Sequence, residues 1–127
     1  MRHSLFPGLL LSVLMTGFAA AQTPEAAVHA ACKSDLIPAA TTAADKKKNQ
    51  MLDCPCMSGF LIARLGASDA KIIMRMYSAS AAKSTEQLNA IKTELGDEAI
   101  AGVMKRVGNI IKMGREIDKA CPPIPAR

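Results

Sequence analysis

Apolar residues recur along this chain every three or four positions, and runs that alternate every second residue are missing. That period is the mark of helices burying one face. Thr23-Pro24-Glu25 reads as a helix start. The Thr23 hydroxyl can cap, Pro24 suits the first turn, and Glu25 favours the positive end of the helix dipole. The first helix is predicted from Pro24 to about Leu36, with Val28, Ala31 and Cys32 on one face and Pro38 as its stop. Residues 39–48, rich in Ala, Thr and Lys, read as a linker with at most one helical turn. Asp53-Cys54-Pro55-Cys56 starts a second helix, anchored by Phe60, Leu61 and Leu65 and closed by Gly66.

Ser68-Asp69 restarts the chain as a third helix, in which Ile72, Ile73, Met76 and Tyr77 share a face through to about Ala82. Ser84-Thr85-Glu86-Gln87 has the order of a capping box, followed by Leu88, Ile91 and Leu95 and a closing Gly96. Asp97 is predicted to cap the last and longest helix. Its stripe is Ile100, Val103, Met104, Val107, Ile110, Ile111 and Ile117. Gly102, Gly108 and Gly114 interrupt that stripe, each at a cost of roughly 1 kcal/mol relative to Ala. The pattern favours one continuous, bent helix over a segment that breaks near Gly108, and its glycine-marked face around Gly108 and Gly114 lets a partner come close. Pro122-Pro123-Ile124-Pro125 cannot continue it, so 122–127 is a Pro-rich extended tail. The predicted fold is all-α, a small bundle of four to five helices.

The N-terminus follows a different pattern. Met1-Arg2-His3-Ser4 is short and basic, Leu5 to Phe18 is almost wholly apolar, and Ala19-Ala20-Ala21 supplies small residues. These are the three parts of a cleavable signal peptide over residues 1–21, with Gln22 as the new N-terminus. The apolar stretch falls short of the ~20 residues that span a bilayer. Cleavage leaves one disulfide-stabilised helical domain, 22–121, followed by the tail, and places it in the periplasm or outside the cell. No transmembrane segment is predicted in the mature chain.

Composition narrows the function. Loss of Arg2 with the leader lowers the net charge from +5 to +4, and the excess is scattered apart from Lys46-Lys47-Lys48. The mature chain keeps only Phe60 and Tyr77 as aromatics, too few for the stacking platforms of single-strand nucleic-acid binders. No nucleic-acid partner is expected. Carboxylates do not cluster into an acid–base pair. Asp69, Glu86, Asp97 and Glu98 are all accounted for by helix starts. In size, export and helicity the layout resembles the small acid-stress chaperones of the periplasm. That resemblance brings no site residues with it, and the pattern places few carboxylates in the core to drive an acid switch.

Cys32, Cys54, Cys56 and Cys121 form an even set, and in an oxidising compartment two disulfides are the default. A bond across Cys54-Pro55-Cys56 would close a very small, strained ring. The preferred pairings therefore join Cys32 to one cysteine of the Cys-Pro-Cys and Cys121 to the other. Three chemical readings compete with structural staples. Cys54, Cys56 and Met57 offer soft sulfur ligands of the kind that select Cu(I). A helix start lowers a thiol pKa, which suits redox exchange. His29, three residues before Cys32, could serve as a base, although a disulfide consumes the nucleophile. The expected function is a non-enzymatic binding or interaction protein of the cell envelope, with a protein partner and no cofactor. A copper or thiol-redox role at the Cys-Pro-Cys is the alternative.

Overall fold

The computed structural model describes residues 23–125. Among them the chain is all-helical, with seven helices where four to five were predicted. The signal peptide lies outside the described residues.

Helix α1 begins at Pro24, and Thr23 caps it by accepting a hydrogen bond from the Ala26 N–H at 3.1 Å. It does not stop at Leu36. After Pro24–Ala31 it widens into a π-helical stretch, Cys32–Leu36, and closes with the turn Ile37–Ala39. A regular α-helix would set the Pro38 ring against the carbonyl four residues earlier and leave that carbonyl without a donor. The wider π turn, in which the Ile37 N–H reaches back to the Cys32 carbonyl, accommodates the proline inside the helix.

The expected linker is itself a helix. In α2 (Ala43–Gln50), Thr42 accepts from the Asp45 N–H at 3.1 Å. Asp45 sits in the first turn and Lys47 and Lys48 in the last, each at the favourable end of the dipole. No α2 residue is buried, so the helix has no apolar stripe to announce it.

Helices α3 (Cys54–Leu65) and α4 (Ala67–Ala81) form a hairpin turned by the single residue Gly66, at φ +83°. Helices α5 (Thr85–Leu95) and α6 (Asp97–Val107) form a second one, turned by Gly96 at φ +84°. Gly96, not Asp97, is the residue that precedes α6, and Asp97 is already helical. Helix α4 is central and packs against α1, α3 and α5. Its fully buried side chains are Ala70, Ile73, Met74 and Ala79, whereas Ile72, Met76 and Tyr77 are only partly covered. The apolar face is thus turned from the predicted one, because neighbours cover α4 on more than one side.

The predicted last helix is two. It breaks after Val107, and α7 (Ile110–Ala120) restarts behind Asn109, whose side chain accepts from the Lys112 N–H at 2.9 Å. Gly108 takes φ +75° and ψ −105°, a conformation that side-chain-bearing residues rarely adopt. Glycine and asparagine side by side supply the stop and the new cap, so the break at Gly108 prevails over the continuous helix that the apolar period favours.

The core collects Val28, Cys32 and Leu36 of α1, Cys54, Met57 and Leu61 of α3, and Ile73 and Met74 of α4. Val103 and Val107 of α6 and Met113 and Ile117 of α7 complete it. The tail is tied back, since the Ile124 N–H donates to the Met51 carbonyl at 2.8 Å.

Candidate functional site

The Cys-Pro-Cys is the hub of the fold. Asp53 accepts from the Cys56 N–H at 3.1 Å, Pro55 occupies the first turn, and the two cysteines leave α3 in different directions. Cys54 is bonded to Cys32 and Cys56 to Cys121, with Cα–Cα separations of 5.7 Å in both. One of the two open pairings is therefore the one present. The start of α3 is stapled on one side to α1 and on the other to the end of α7. The closed loops span 22 and 65 residues. By chain entropy such loops are worth about 3 and about 4 kcal/mol.

No described cysteine carries a free thiol. The sulfur of Cys54 and the side chain of Met57 are buried in the core beside the staple. In this form the trio Cys54, Cys56 and Met57 offers a thioether and two disulfide sulfurs, and the thiolates that bind copper or exchange disulfides exist only after reduction. Among the described residues, no group of three or more His, Cys, Asp or Glu side chains converges on a point. Cys32, wholly buried and disulfide-bonded, is closed to the nucleophilic role that His29 would have served.

The two glycines singled out for close approach sit in different settings. Gly108 is the break between α6 and α7, and its backbone conformation accounts for it. Gly114 lies within α7 in ordinary helical geometry. A Cβ built there meets no atom within 4 Å. Gly114 lines a cleft of about 310 Å³ that α7 shares with α1, α2, the α2–α3 connection, α3 and α4. That is the lower end of the size range for small-ligand sites.

Leu36, Met57 and Ile117, all buried, and Leu52, half-buried, give the cleft its apolar walls. Its polar residues are few. The Asn49 side-chain amide donates to the Leu36 carbonyl at 2.9 Å, satisfying one of the last carbonyls of the π stretch and leaving the Asn49 side-chain oxygen as an acceptor. Tyr77 lines the cleft, and its hydroxyl is buried without a hydrogen-bond partner in the chain. Burial pushes the Tyr77 phenol above its ordinary value, and the negative charge of Asp118 on the rim adds to the shift. A buried, unpaired hydroxyl is costly, on the order of 1–3 kcal/mol, and calls for an explanation.

No family model, curated protein or solved structure matches this chain. The chemistry of the cleft has to be read from its own residues.

Sequence reasoning reached Gly114 and Tyr77 but not their meeting, because they belong to helices 37 positions apart in the chain. The available signal was the glycine itself. A residue that weakens a well-patterned helix and is not needed for its geometry marks a place where a side chain is unwelcome. Asp69 does stand in the first turn of its helix, as its place in the sequence implies, but it has a second role. It is almost wholly buried and pairs with Arg106.

Two other hollows are less suggestive. One, between α1 and α3, lies beside His29 and the second unpaired buried hydroxyl, Ser58. The other lies between the α1 end, α4 and α5 beside Arg75, which is already paired with Glu94. Among the described residues no helix is long and apolar enough to cross a membrane.

Proposed function

We propose that this chain is an exported, non-enzymatic binding protein of the cell envelope or cell exterior, and that its partner is received by the cleft at Gly114 and Tyr77. The observation that carries the reading is the pairing of a concave, mainly apolar site with one orphaned hydrogen-bonding group, the Tyr77 hydroxyl. That combination is what a binding pocket needs: walls for affinity and a single polar handle for orientation. Export is supported by the leader pattern of residues 1–21 and by two disulfides with no described thiol left over, the condition expected in an oxidising compartment. Reading the site as binding rather than catalytic rests on its chemistry. It offers no nucleophile beside a base and no pair of carboxylates.

The test is Gly114→Leu. The new side chain has room at Cβ on a residue that lines the cleft, and Leu is a better helix former than Gly. The variant is expected to fold at least as well as the parent and to lose whatever molecule co-purifies with the chain from envelope extract, as read by native mass spectrometry. Retention of the same co-purifying molecule by a well-folded Gly114→Leu would overturn the reading. Determination of the N-terminal residue of exported protein checks the address, with Gln22 as the expected first residue.

A further inference from the structure

Taking the cleft as the binding site, we propose that its ligand is a small organic cation, an ammonium group carried on a compact hydrocarbon body. The lining is asymmetric in a way that selects charge. Asp118 is its one ionisable carboxylate, and no Lys or Arg lines it, although the chain as a whole carries an excess of basic residues. Among the described residues no cation pairs with Asp118; the three ion pairs all lie elsewhere.

The remaining polar residues of the lining, Asn49, Tyr77 and Ser80, each carry an oxygen that can accept. The Asn49 side-chain oxygen is left over when its amide donates to Leu36, and the Tyr77 oxygen has no partner. An ammonium has three donors and no acceptor, which is the complement of such a site. The Tyr77 ring adds a face of the kind that attracts cations. An anion would meet Asp118 with no compensating positive side chain in the lining. Leu36, Met57 and Ile117 require the rest of the ligand to be apolar. The exposed position of Asp118 sets the pose: hydrocarbon inward, charge at the rim.

Tyr77 is the only tyrosine and the chain has no tryptophan, so ultraviolet-excited emission reports on this cleft directly. The experiment titrates the disulfide-bonded chain with hexylammonium, hexanol and hexanoate, which share one hydrocarbon body and differ in charge. Hexylammonium is expected to change Tyr77 emission saturably and at lower concentration than the other two. Asp118→Asn should weaken hexylammonium about fivefold, the size of a partly exposed ion pair, and leave hexanol unchanged. Gly114→Leu should abolish the response. Hexanol or hexanoate binding as tightly as hexylammonium would overturn the cation preference while leaving the cleft a binding site. An unchanged response in Gly114→Leu would place the binding elsewhere and overturn the proposal. No response to any of the three would overturn both the proposal and the reading on which it rests.

Discussion

A single guanidinium holds both oxygens of the Asp69 carboxylate: Arg106 donates from Nε to Oδ2 at 2.5 Å and from Nη2 to Oδ1 at 3.0 Å. The pair joins α4 to α6 across 37 positions of sequence. It has two counterparts. Arg64 of α3 pairs with Glu116 of α7, and Arg75 of α4 pairs with Glu94 of α5. Each of the three C-terminal helices is therefore fastened to the α3–α4 hairpin by one arginine–carboxylate contact. Asp69 is the most buried of the six partners, so its contact is screened least. Asp69→Ala is expected to lower Tm by roughly 5 °C, while Glu94→Ala, at an exposed pair, should change it by no more than a degree or two. Equal effects in thermal melts would show that burial does not set the ranking.

Acid should loosen these fastenings, in a defined window. The carboxyls of Asp69 and Glu94 are both held below their ordinary values, chiefly by the hydrogen bond each accepts from its arginine. A carboxyl whose pKa is lower folded than unfolded adds stability that is complete above the unfolded value, about 4. That stability is lost as pH falls through the lower folded value. Between about pH 7 and pH 5 these two groups therefore change nothing, and below about pH 4 stability falls. Urea midpoints measured across this range check it. Asp69→Asn should flatten part of the acid decline, and a decline beginning above about pH 5 would point to other groups.

The two glycines of the C-terminal region should respond in opposite directions. Gly114→Ala relieves the entropic cost of glycine in a helix and meets nothing within 4 Å, so it should stabilise by roughly 0.5–1 kcal/mol. Gly108→Ala also has room, but it forces a Cβ onto φ +75° and should cost roughly 1–3 kcal/mol. Chemical denaturation of the two variants is sufficient, and the same sign at both positions would contradict the break between α6 and α7.

Local chemistry made much of the fold legible. Thr23 and Ser84 are found capping the helices they were expected to start, and of the two candidates Asp53 and Cys54 it is Asp53 that caps, because a cap is read within four residues. The even cysteine set and the strained ring across Pro55 narrowed the staples to two pairings. What stayed hidden was non-local or unpatterned. Helix α2 is polar on every face, so periodicity could not find it. The apolar stripe stays in phase across Gly108, so periodicity favours a continuous helix over the break that the glycine also allows. Arg106 reaches Asp69 from 37 residues away, and the cleft draws its lining from five helices. Neither has any signature in a short window of sequence.

The two staples should prove unequal at the cleft. Cys56–Cys121 anchors the C-terminal end of α7, the helix that carries Gly114, Ile117 and Asp118, and it closes the longer loop. Cys32–Cys54 anchors α1 to α3, a contact that Val28, Leu36 and Leu61 also maintain by packing. By loop length the double variants Cys56→Ala/Cys121→Ala and Cys32→Ala/Cys54→Ala should lose about 4 and about 3 kcal/mol. Both losses are large beside a small domain's total of ~5–15 kcal/mol. Cys32 and Cys54 are also fully buried, so their removal leaves a cavity that narrows the difference in Tm. The Tyr77 titration separates the two more clearly. Its phenol is raised by burial and by Asp118, and the second of these depends on α7 staying in place. Spectrophotometric titration of the single tyrosine should therefore shift towards the ordinary value near 10 when Cys56 and Cys121 are replaced, and stay raised when Cys32 and Cys54 are replaced. The reverse order would mean that α1, not α7, is the wall that keeps the cleft closed around Tyr77.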